Sequence, residues 1–100
     1  MALGNLFKSL LGSGGSEPQE QISDPVDHKG FTIEAAPIVE DGKFRTAGYI
    51  SGELEGEVKR IRFIRADQHA DLQAATDHAL AKGRQIIDEQ GKGLLHKDRL

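Results

Sequence analysis

Between residues 31 and 66 apolar and polar positions alternate. Phe31, Ile33 and Ala35 are separated by Thr32 and Glu34, the period of a strand with one buried face. Residues 44–51 (FRTAGYIS) and 58–66 (VKRIRFIRA) predict two further strands. Pro37 ends the first strand or sits on its edge, because it has no N–H to give to a ladder. Glu40-Asp41-Gly42-Lys43 holds an Asp-Gly pair, a strong hairpin signal. Residues 52–56 (GELEG) read as a second turn into which Leu54 can extend the strand, and Gly48 marks either a bulge or a close backbone approach. In the second strand Phe44 and Ile50 share one parity and Tyr49 has the other, so either set can face the core.

The period then changes from two to about three and a half. Over residues 71–90, Leu72, Ala75, Ala79, Leu80, Gly83, Ile86 and Ile87 fall on one face of a long helix. Asp71 is placed to cap its first N–H groups, and Gly91 to end it in a left-handed turn. Short connections make the three strands an antiparallel meander, and the helix must cover one sheet face to bury its stripe. The expected fold is α+β, a three-stranded antiparallel meander followed by one packed helix (βββα).

The ends read differently. Residues 1–11 (MALGNLFKSLL) put Leu3, Leu6, Phe7, Leu10 and Leu11 on one helical face, but so short a helix is marginal in water unless it docks. It can dock on its own domain, on a partner, or as a membrane-surface foot, and its single Lys gives little attraction to anionic lipid. Residues 12–25 (GSGGSEPQEQISDP) are a flexible polar linker. The folded domain is expected over residues 26–95, with 96–100 a loose tail and Leu94 and Leu95 folding back on the sheet edge.

Composition narrows the function. With no cysteine there is no disulfide, thiolate metal site or cysteine nucleophile. A net charge of −3 does not mark a nucleic-acid binder by bulk charge. The apolar runs are far too short to span a bilayer, and residues 1–16 make a poor secretory signal, so a cytoplasmic location is expected. No phosphate-binding glycine loop, nucleophile elbow or metal-ligand spacing occurs, so no enzyme, metal or cofactor is expected. The best cluster for chemistry is Asp67, His69 and Asp71 with His78; the plainer reading gives the aspartates turn and cap roles.

The cations are concentrated. Lys43, Arg45, Lys59, Arg60, Arg62 and Arg65 are nearly half of the 13 Lys and Arg. Alternation sets Arg60 and Arg62 opposite Ile61 and Phe63, so a sheet covered by its helix on the apolar face presents these arginines to water. Arg45, Lys59, Arg60 and Arg62 are candidate DNA contacts, and pairing with Glu53, Glu55 and Glu57 is the competing reading. A lone tyrosine and no tryptophan furnish single-strand stacking poorly.

HKGFTIEAAPI (28–38), GYISGE (48–53), FIRAD (63–67) and KGRQIIDEQG (82–91) resemble the HlyU-type family of small bacterial transcriptional activators. The resemblance covers residues 26–95 and implies a non-enzymatic regulator with DNA as a partner. A winged helix needs a recognition helix in the major groove, whereas the one long helix here carries Asp71, Asp77, Asp88 and Glu89, which phosphates repel. DNA contact would therefore fall to the arginine-bearing sheet. The alternative is a protein-interaction module, dimeric through an exposed edge strand, or held at a membrane by Leu3, Leu6, Phe7 and Leu10.

Overall fold

Three Xaa-Gly pairs fold the sheet. Lys29-Gly30, Asp41-Gly42 and Glu55-Gly56 all have positive φ at both positions, the two-residue hairpin turn whose twist matches that of paired strands. The computed structural model describes residues 22–100. It contains β1 (Val26–His28), β2 (Phe31–Ala35), β3 (Ile38–Glu40), β4 (Lys43–Leu54), β5 (Glu57–His69), α1 (Leu72–Gln90) and a 3₁₀ turn (Gly91–His96).

The fold is α+β with an antiparallel sheet and one long helix, and the sheet has five strands where three were expected. Two short strands account for the difference. β1 pairs with β2 across the Lys29-Gly30 turn. β3 is the continuation of β2, because Ala35↔Gly48 and Ile38↔Arg45 keep one register along β4. Pro37 interrupts this strand, and Ala36 N still donates to Ala47 O at 2.8 Å. The second turn tightens from the expected residues 52–56 to Glu55-Gly56, so β4 runs on to Leu54.

Gly48 marks a close approach rather than a bulge. A Cβ there would lie 2.5 Å from Glu34 O and 2.8 Å from the Phe63 ring. The irregularity lies further along β4, where Thr46 alone stands opposite Arg65, Ala66 and Asp67 between the pairs Ala47↔Ile64 and Arg45↔Gln68.

The helix begins and ends where its caps direct. The Asp71 side chain accepts from Ala74 N at 3.0 Å, and Gly91, at φ +56°, donates its N–H to Ile87 O. Ala75, Ala79, Gly83, Ile86 and Ile87 are its buried residues. Phe31, Ile33, Ile50, Ile61 and Phe63 meet α1 from the sheet, and Leu94 and Leu95 close the core from the 3₁₀ turn. Ile50 is buried against the helix, so Tyr49 lies on the outer face, which settles the parity that the sequence left open.

The C-terminal residues, read from the sequence as a tail at 96–100, make contacts with β5. Arg99 bridges Arg62, Leu100 N donates to Arg62 O at 2.8 Å, and Arg65 Nη1 donates to Leu100 O at 2.9 Å. At the other end, Ser23, within the expected linker, donates its N–H to Ala35 O at 2.8 Å.

Candidate functional site

Strand alternation and the register of β4 build the outer face row by row. Glu34, Tyr49 and Arg62 form one row across β2, β4 and β5, and Thr32, Ser51 and Arg60 form the next. The Arg60 guanidinium carbon sits 3.8 Å from the Tyr49 ring centre, and that of Arg62 sits 5.7 Å from it. Two cations thus share one aromatic ring, each drawn to its π-face. Arg60 Nη2 also donates to Glu34 Oε1 at 3.0 Å. The result is a charged, aromatic surface held by cross-strand contacts on the side of the sheet away from α1.

The other candidate cations are placed elsewhere. Arg45 lies on the same face but further along, where its Nε donates to Glu40 Oε1 at 2.7 Å and its Nη1 to Arg65 O at 3.3 Å. Gln68 Nε2 shares Glu40 Oε1 at 3.0 Å. Lys59 has the parity of Ile61, on the helix side, and its Nζ lies 3.2 Å from Glu57. The structure therefore brings Arg60 and Arg62 together and separates Arg45 and Lys59 from them. Of the glutamates expected as partners, Glu57 pairs with Lys59; Arg60 and Arg45 are held instead by Glu34 and Glu40, across the sheet. Tyr49 was the residue missed as a contact platform, since its pairing with Arg62 follows only from the register. Leu3, Leu6, Phe7 and Leu10 lie outside the described residues.

The bulge of β5 gathers the second cluster. Asp67 Oδ2 is 2.7 Å from His78 Nε2 on α1, and the His69 and His78 ring centres are 5.0 Å apart. The hydrogen bond from His78 holds the Asp67 carboxyl below the usual carboxylate range, aided by the nearby charge of Lys82. His69 Nε2 instead meets Thr46 Oγ1 at 3.2 Å. Each imidazole Nε2 is thus committed to a different neighbour, and no Thr-His-Asp line forms for activating a hydroxyl. Asp71 is engaged in capping. Among the described residues no group of three or more His, Asp or Glu is arranged to hold a metal ion. The cluster fastens the start of α1 to β5. At the other end of α1, Lys29 Nζ and His28 Nε2 reach Asp88 Oδ1 at 2.8 and 2.9 Å, and hold its carboxyl below the usual range in that order of strength.

The sequence profile of a family described as transcriptional activator HlyU matches residues 5–95. No curated protein and no solved structure matches the chain. Among the described residues no helix is long and apolar enough to cross a membrane.

Proposed function

The chain belongs to the HlyU family of transcriptional activators, and on that premise we propose that it is a small cytoplasmic, non-enzymatic regulator that meets DNA with the outer face of its sheet. The observation that carries this reading is the pair of arginines, Arg60 and Arg62, gathered on Tyr49 opposite the helix. Guanidinium groups held in a fixed orientation are pre-organised for phosphate oxygens or base edges. Glu34 already accepts from Arg60, so a phosphate has to replace a carboxylate there, an exchange between like-charged acceptors. Arg45 extends the surface along the same face, and Lys59, on the helix side, does not share it.

A salt series of binding to a pool of genomic DNA fragments tests the reading. Arg60→Ala with Arg62→Ala should weaken retention and flatten the slope of log affinity against log salt by about 2, one counterion-releasing contact each. Equal binding and equal slope in variant and parent would remove the sheet from DNA contact. Failure of the parent to bind even at low salt would favour a second reading, a protein partner on the same face. The Arg60–Glu34 and Arg45–Glu40 pairs support that alternative, since they balance the local charge.

A further inference from the structure

α1 ends at Gln90, and the 3₁₀ turn that follows closes the core with Leu94 and Leu95. Beside them a cleft of about 390 Å³ opens between the β4–β5 hairpin and the chain leaving the turn, a volume within the range of small-molecule sites. Leu54, Ile61 and Leu95 are the apolar part of its lining. Ile61 and Leu95 are nearly closed to water, while Leu54 is half-buried. Lys59 stands on the hairpin wall, and His96, Lys97 and Asp98 stand on the other. Two lysines against one aspartate make this lining cationic even with His96 neutral, on a chain whose net charge is −3. Neither lysine is held by a buried acid. Lys59 Nζ lies 3.2 Å from Glu57, a mostly exposed carboxylate outside the cleft, and Lys97 Nζ donates to the neutral Gln90 Oε1 at 2.7 Å.

We infer that this cleft binds a small organic carboxylate, its oxygens held between Lys59 and Lys97 and its short aliphatic body set against Leu54, Ile61 and Leu95. Charge complementarity selects an anion, and the little apolar surface left open favours a short body over a long chain. At Lys97 the ligand replaces a neutral acceptor by a charged one, which strengthens that bond. At Lys59 it exchanges with Glu57, like for like, and a long flexible side chain makes the exchange easy. The two lysines belong to different segments. Lys59 is part of β5, whereas Lys97 begins the stretch that runs into Arg99 and Leu100, fastened to β5 where Leu100 N donates to Arg62 O at 2.8 Å. A carboxylate shared by both lysines is therefore a second tie between that stretch and β5. In the regulator proposed above, the site would let a small acid act on the strand that carries Arg60 and Arg62. Only this last consequence rests on the proposed DNA contact; the binding does not.

Titration of the full isotope-labelled chain with sodium hexanoate, at fixed pH and ionic strength, tests the site by NMR. Amide signals of Leu54, Ile61, Leu95 and Lys97 should shift and saturate, and hydrogen exchange at the Leu100 amide should slow as the tie forms. Hexan-1-ol, which has the same body without the charge, should produce little shift. Lys59→Gln with Lys97→Gln should weaken hexanoate binding about tenfold, the loss of charge-assisted hydrogen bonds. Lys92→Gln, at a lysine of the 3₁₀ turn outside the cleft, should leave it unchanged. Shifts that never saturate, that centre elsewhere or that hexan-1-ol reproduces would overturn the inference. So would equal affinity in the double variant, and unchanged exchange at Leu100 under saturation would overturn the shared hold of the two lysines. The measurement contains no DNA, so loss of the DNA reading alone leaves its result unchanged.

Discussion

Gly83 is where the packing of helix on sheet is tightest, and replacing it by alanine separates close packing from helix propensity. In an exposed helix interior, Gly→Ala stabilises by about 1 kcal/mol, because alanine loses less backbone entropy. Here the added methyl would lie 2.6 Å from Ile33 Cγ2, with Ile33 Cδ1 and Cγ1 at 3.2 and 3.3 Å. Ile33 is fully buried, and Cγ2 branches directly from its Cβ, so it cannot swing aside as the end of a long chain would. Overpacking of a filled core typically costs about 1–3 kcal/mol. Set against the propensity gain, Gly83→Ala should destabilise by about 1 kcal/mol, lowering the urea midpoint by about 1 M for a domain with a slope near 1 kcal/mol/M.

A double-mutant cycle isolates the contact. Ile33→Leu keeps the volume but removes the branch at Cβ, and should cost less than about 1.5 kcal/mol alone. In that background Gly83→Ala should be close to neutral, a coupling of about 1 kcal/mol. A midpoint that rises on Gly83→Ala in the parent would refute the reasoning, since the helix would then have room that the packing denies it.

Two further predictions concern how α1 is held. Asp71→Ala should cost about 1 kcal/mol by leaving the Ala74 N–H without its cap, and Asp71→Asn should recover most of it; equal losses in denaturant melts would mean that the carboxylate acts by charge rather than as an acceptor. Asp67 and Asp88 have folded-state pKa values below their unfolded ones, so the stability they contribute is present above about pH 4 and is lost as pH falls through the lowered values. Asp67→Asn with Asp88→Asn should therefore flatten the acid side of a plot of Tm against pH, by a small amount because both carboxylates are exposed, and an unchanged acid slope would contradict the pairing.

The helix was legible because everything that defines it is local: the stripe from Leu72 to Ile87, the capping Asp71 and the terminating Gly91. The sheet was legible only where alternation was long. Val26-Asp27-His28 is too short to show a period, so the Lys29-Gly30 turn passed unread, although it has the same geometry as Asp41-Gly42. Pro37 correctly ended β2, but that Ile38 resumes the same register depends on β4 lying alongside. The excess of Arg65, Ala66 and Asp67 over Thr46 is likewise a property of two strands together, and of the two readings open at Gly48 the close approach is the one that holds. The same limit governs the site. Arg60 and Arg62 were placed on the outer face by parity alone, whereas Tyr49 beneath them and Glu34 beside Arg60 come from strands fixed by other turns. Glu53 and Glu55 are near these arginines in sequence, but the partners that hold Arg60 and Arg45 are two strands away from β5 or across one hairpin.

How the helix is fastened bears on where a regulator of this shape can act. The Asp67–His78 pair holds α1 near its start, and Asp88 is held by both His28 and Lys29 near its end. The face between carries Ala75, Ala79, Gly83, Ile86 and Ile87, all buried, so the helix cannot leave the sheet without exposing the core. Its remaining surface mixes Asp77, Asp88 and Glu89 with Lys82 and Arg84, so it presents no basic stripe of the kind a recognition helix lays in a major groove. The inner sheet face is occupied, and the free edge of β5 is partly taken by Arg99 and Leu100. Among the described residues, the broad surface left is the outer face, where Arg60 balances its charge with Glu34 while resting on Tyr49. Under the proposed DNA contact, a face so balanced would attract DNA weakly at long range and gain its binding energy at contact, when a phosphate takes the place of the carboxylate.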